Sequence, residues 1–186
     1  MKIIKIHYKL SKPIKKYNEI KDEAKLLLRF VERGKFEGFY NKAYAISHKQ
    51  VNEKPYAFFV VAQECINEKM FKNRIIINPK ILKSDKFKKI GTVLKKANKI
   101  SNIVTNKEMC LSFPFRKPKD FSRFDSIKVR YQIPTLFGLK TITDELFGIA
   151  SQIFQHELDH IQGRNIYIES YNQIKWWELF GKPLSN

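Results

Sequence analysis

Hydrophobic positions along this chain fall in short runs of changing period. Residues 3–9, IIKIHYK, partly alternate and predict a strand, with His7 on its surface. Asn18 stands where a helix cap is expected, ahead of a helix over residues 20–36. There Ile20, Ala24, Leu27, Leu28 and Val31 recur at helical spacing. AYAISHKQV, residues 43–51, carries no helical period. PYAFFVVA (55–62) and RIIINP (74–79) read as strands, the second ending at Pro79. SIKVRYQI and LFGLKTIT read as a hairpin joined near Pro134. Thr143 followed by Asp144 and Glu145 predicts a helix start, a hydroxyl cap with acid in the first turn. That helix runs over 144–162 and stops at Gly163. A last helix from about Tyr171 to Phe180 presents Trp176 and Trp177 for packing.

Composition narrows the class. A chain of 186 residues suits one domain over 1–186, and neither an internal repeat nor a linker interrupts it. With 43% hydrophobic residues it has enough apolar side chains for a core, which excludes a disordered chain. No run approaches the roughly 18 apolar residues of a membrane helix, so no membrane partner is expected. The first residues lack a secretory pattern, and Cys65 and Cys110 read as free thiols, so the expected compartment is the cytoplasm.

The formal charge of +18 changes the picture most. It points to a polyanionic partner such as ribosomal RNA. A blander source is the joint richness in Lys, Asn and Ile that AT-rich coding produces. Residues 82–107 hold eight lysines, with Phe87, Ile90, Val93, Leu94 and Ala97 at helical spacing. They read either as an RNA-facing basic helix or as a solvated surface excursion.

The candidate chemistry sits in QHELDH, residues 155–160. On a helix, positions i and i+4 share a face, so His156 and His160 reach one metal while Glu157 stays beside it. A metal held this way lowers the pKa of bound water to about 7, and Glu157 is placed as general acid/base. A third ligand is required. No histidine follows Gly163, and Glu169 and Glu178 stand in no recognisable motif. Upstream, Cys110 in EMCLSFP completes a Cys-His-His set.

QHELDHIQG, EMCLS and AYAISHKQV together resemble the three motifs of the peptide deformylases. The third matches from Gln155 to His160, with Gly163 in place. The second has Met109 where glycine is usual. The first is degenerate: Ala43 and Ala45 replace glycines, Ile46 a leucine, and Ser47 and His48 two alanines, while Gln50 is retained. RIIINP and IKVRY are similar to the family's strands, and 82–107 looks like a basic insertion.

The resemblance implies an α+β fold, with antiparallel β-sheets packed around a central helix carrying HELDH and a C-terminal helix. It implies a metallohydrolase that removes the formyl group from the N-terminal methionine of nascent chains. Cys110, His156 and His160 would bind one divalent metal, ferrous iron in the cell, with zinc or nickel in isolated protein. Glu157 would be the general acid/base. Gln50 and the backbone N–H of Leu111 would form the oxyanion hole. Tyr44, Ala45, Ile149 and Ile153 would border the methionine pocket, and Arg123 would pair with Glu108 behind the ligands. N-formyl-methionyl peptides and the ribosome surface are the implied partners. Two alternatives stay open: a zinc endopeptidase without need of Cys110, and a non-catalytic ribosome- or RNA-binding descendant.

Overall fold

The computed structural model describes residues 10–33, 43–82, 103–113 and 115–167. The strand expected over 3–9, most of the basic stretch and the helix expected at 171–180 lie outside the described residues.

Helix α1, Lys21–Arg33, packs against strand β2, Phe58–Val61, and buries Ala24, Leu27 and Val31, with Ile20 buried just ahead of it. Asp22 and Glu23 lie in its first turn, where the helix dipole favours acid. Asn18 does not cap it. Residues Tyr17–Glu19 form a separate 3-10 turn, closed by the Lys16 N–H donating to Glu19 Oε1 at 2.7 Å.

Five strands form one antiparallel sheet in the order β1-β2-β3-β6-β7. β1 is Ala45–Ser47, and β3 is Ile75–Ile81, reached through the short helix α2, Gln63–Asn67. Every residue of β2 is buried, so its apolar run shows no alternation. Pro79 does not end β3. The chain bulges there instead, with Asn78 at φ +48° and the register shifting between Ile77 and Lys80. The bulge tolerates the N–H that proline lacks. The Asn78 amide ties the bulge to the backbone of Ile14, accepting at 2.9 Å and donating at 2.8 Å.

β6, Ser126–Thr135, and β7, Gly138–Phe147, pair along their whole length as the expected hairpin. The turn is Leu136–Phe137, and Pro134 lies inside β6 opposite Leu139. Asp144 and Glu145 belong to β7, not to a helix start. Asp144 faces Val129 across the ladder, and its carboxylate takes Lys72 Nζ at 2.5 Å and Tyr131 OH at 3.3 Å. The helix therefore begins later. α3 is Gly148–Ile161, entered through Gly148 at φ +53°, whose N–H donates to Asp125 O at 2.7 Å. It ends as expected at Gly163, φ +76°.

A second sheet pairs β4, Ile103–Glu108, with β5, Lys119–Phe124. The last residues of the 82–107 stretch are thus strand rather than excursion. Phe154 of α3 packs edge-on against Phe59 of β2, centroids 5.6 Å apart, and beside Tyr131 of β6. α3 contacts strands of both sheets. The class is α+β, with antiparallel sheets around the HELDH helix, as expected.

Candidate metal centre

α3 is fixed before its chemistry begins. Gln155, buried, accepts from the Phe124 N–H at 3.1 Å and donates to Phe124 O at 2.9 Å. Ser151 Oγ donates to the same carbonyl at 2.7 Å. These bonds satisfy the free end of β5 and set the rotation of the helix.

That rotation brings His156 and His160 to Cys110, in the loop after β4. Cys110 Sγ lies 3.2 Å from His160 Nε2, which lies 3.3 Å from His156 Nε2. The three ligand atoms fall within 4.8 Å of one another. Burial alone would push the Cys110 thiol up, but the two imidazoles outweigh it and hold it well below its ordinary value. Burial opposes charge on His156 as well, yet its hydrogen bonds to Cys110 and Glu108 raise it to about 10. Among the protein groups alone, positive charge therefore belongs between the sulfur and the imidazoles, where a divalent cation would replace the proton. One thiolate and two imidazoles suit iron, zinc or nickel alike.

Behind His156, its Nδ1 and Glu108 Oε2 are 3.0 Å apart, which leaves Nε2 for the centre. Arg123, fully buried, grips Glu108 with Nε at 2.8 Å and Nη2 at 3.0 Å. Burial resists the charge on Glu108, but the His156 and Arg123 contacts prevail and hold its carboxyl at about 2. Arg123 Nη1 reaches Asp159 Oδ2 at 2.5 Å, and Arg164 approaches Asp159 Oδ1 at 3.2 Å. The Arg123–Glu108 pair is the one expected. Asp159 and Arg164 were missed, although a carboxylate on a largely buried helix signals a cation nearby.

Glu157 is buried beside the histidines, and its Oε2 has no hydrogen-bond partner among the protein groups. Burial pushes its carboxyl up, only partly offset by His160, His156 and the Ser47 N–H. An orphaned buried carboxylate oxygen costs free energy, and proton exchange or a polar substrate atom would give it a partner.

The degenerate first motif closes the other side. Ser47–Gln50 is a capped turn: the Ser47 N–H donates to Gln50 Oε1 at 2.9 Å, and Ser47 Oγ accepts from the Lys49 N–H. With its oxygen occupied, Gln50 turns its Nε2 outward to Ser112 Oγ at 3.1 Å, one residue past Leu111. His48 fills its position as core. Its ring stacks on Phe58 at 4.8 Å, and Nδ1 accepts the Tyr56 N–H at 3.0 Å. It is no fourth ligand. Tyr44, Met109 and Ile149 are about half exposed, Ala45 is buried in β1, and Ile153 packs against the main core.

The profile of the Polypeptide deformylase family matches residues 2–176. No curated protein sequence matches the chain. Among solved structures, peptide deformylase from Thermotoga maritima is similar at 24% identity and TM-score 0.61, over 89% of this chain and 96% of that one. The Plasmodium falciparum enzyme gives 23% and 0.64, over 96% and 90%. Peptide deformylase 1B of Arabidopsis thaliana, in complex with an inhibitor, gives 19% and 0.64, over 100% and 97%. These likenesses concern the fold, while the profile spans all three motifs and the Cys-His-His cluster. The chain belongs to the polypeptide deformylase family, whose members are metal-dependent hydrolases.

Proposed function

We propose that this protein hydrolyses the N-terminal formamide of formyl-methionyl peptides, yielding formate and a free α-amine, in the cytoplasm and with ferrous iron. The observation that carries the reading is the cluster of Cys110, His156 and His160 with the unpartnered, buried Glu157 oxygen beside it. Cys110, His156 and His160 would hold the cation. When bound, it supplies a Lewis acid that makes water nucleophilic near neutral pH.

The chain's own groups do the rest. Glu157 takes a proton from the attacking water and returns it to the departing amine nitrogen. Its raised pKa suits both halves of that exchange. Gln50 Nε2 and the Leu111 N–H donate to the formyl oxygen as charge develops on it. Ile153 and Ile149, about one and two turns before His156, border the methionine side chain with Tyr44 and Ala45. Glu108 and Arg123 orient His156. The lysines of 82–107 would hold the enzyme near ribosomal RNA; replacing them should weaken ribosome binding and flatten its salt dependence.

The test is hydrolysis of a formyl-Met peptide by anaerobically iron-loaded protein, wild type beside Glu157→Ala. A loss of about 10³-fold in kcat/KM with metal retained is expected. Inactive wild type with metal bound, or an unimpaired variant, would overturn the reading. Cys110→Ala separates it from a zinc endopeptidase, which would keep metal and activity without the thiol.

A further inference from the structure

The β6–β7 hairpin ends in two adjacent apolar side chains, Leu136 and Phe137, which are 97% and 99% exposed. They are the most exposed large apolar residues among those described, and the metal centre makes no use of them. Ile133 and Leu139, next along the two strands, are partly exposed but pack against the main core, so the free apolar surface of the hairpin is its tip, with Pro134 beside it.

Several polar groups of this tip are paired within it. Thr135 Oγ1 donates to Gly138 O at 3.0 Å and accepts the Phe137 N–H at 3.3 Å. A turn whose backbone is bonded in this way enters an apolar medium without stranding those groups. Gly138 takes φ +121°, so a Cβ there would be strained even though the space is open.

The distal hairpin is cationic. From Arg130 to Thr143 it carries Arg130 and Lys140 and no acid, while Lys128, nearer the body, faces Glu145 across the ladder. Lys140 faces Ile133, two ladder steps above Thr135 and Gly138, or roughly 7 Å at the rise of a strand. Arg130 stands on the opposite face, directly across from Lys80 of β3. All three side chains of this flank, Lys80, Lys128 and Arg130, are exposed. Lys80 and Arg130 are like charges placed opposite each other, which is unfavourable on a sheet; with Glu145 the acid beside Lys128, this face keeps an excess of positive charge.

We propose that this hairpin docks the protein peripherally on an anionic lipid surface. Leu136 and Phe137 enter the acyl boundary, Lys140 meets the headgroups, and Arg130 and Lys80 lie in the surface potential above them. The expectation of no membrane partner rests on the lack of a spanning apolar run, and peripheral docking needs none. It is therefore compatible with the finding that no helix among the described residues is long and apolar enough to cross a membrane. Two inserted side chains and a few cations make the contact weak and reversible.

The experiment is sedimentation of the full chain with vesicles of equal parts phosphatidylcholine and phosphatidylserine, and with phosphatidylcholine alone. Wild type should bind the mixed vesicles and lose them as salt is raised. Leu136→Ser with Phe137→Ser should weaken binding about tenfold or more. Because both residues are exposed turn positions, its thermal unfolding should match wild type. Lys140→Glu with Arg130→Glu should abolish the preference for the anionic lipid. No binding by wild type, equal binding to both vesicles, or an unaffected tip variant would overturn the proposal. So would a tip variant that instead loses self-association or the binding of a single-stranded RNA homopolymer. The readout needs no enzyme activity, so it stands or falls apart from the reaction above.

Discussion

His48, on the turn after β1, and His160, near the end of α3, are both buried to within 1% of complete, yet they do opposite things. His48 has aromatic neighbours and a backbone N–H, and burial alone pushes its pKa down to about 4. It is neutral packing. His160 faces a thiol and a second imidazole, and the two imidazoles hold the thiol well below its ordinary value. At the turn, shape matters, because what must be placed is the Gln50 amide and the backbone around it. Larger residues than the family's usual ones are tolerated there when they fill space cleanly. On the helix, chemistry matters, and every defining residue from Gln155 to His160 is in place.

The hardest blow to this contrast is on the helix side. Arg123→Met should cost about 3–5 kcal/mol, because it strands the Glu108 and Asp159 carboxylates without their shared cation. Urea unfolding would measure it, and a near-neutral result would mean that Arg164 alone can compensate. On the turn side, acid is the probe. The folded pKa of His48 lies below its unfolded value of 6.5, so the unfolded chain gains a proton first. The His48 contribution to stability is full above pH 6.5 and falls by about 3 kcal/mol as pH drops to 4. Glu108 loses its stabilising charge only lower, between its ordinary 4.5 and about 2. His48→Phe should flatten the upper arm and leave the lower one; an unchanged profile would refute the neutral-core role of His48. Smaller still, Gln50→Ala should lower kcat/KM about 10²-fold with little change in metal content. An equal loss of metal would place Gln50 in the framework of the centre rather than in the oxyanion hole.

What the chain's pattern disclosed depended on how local the signal was. QHELDH and Gly163 are contiguous, and both were readable. Asp144 was misread because Thr-Asp-Glu has the local form of a helix start. Ten paired positions with β6, along with Lys72 and Tyr131, hold it in a strand instead. Pro79 was misread as a stop because the bulge at Asn78 depends on Ile14, 64 residues away. β4 and β5 left little pattern because each lies in a two-stranded ribbon, mostly exposed along β4. The Arg123–Glu108 pairing was reached through family resemblance, whereas Asp159 as its second anchor emerged only from the packing.

Arg123 also bears on how the protein is made. It joins β4 and β5 to α3, so the guanidinium that steadies Glu108 is itself held by Asp159, 36 residues later in the chain. Cys110 and His160 are separated by 50 residues. A nascent chain that has exposed Cys110 but not yet Asp159 owns a loose thiol and no centre. If this cluster holds the metal as proposed, capture waits for the final turn of α3, and a bound ion would report that the β4–β5 sheet and the helix have already docked.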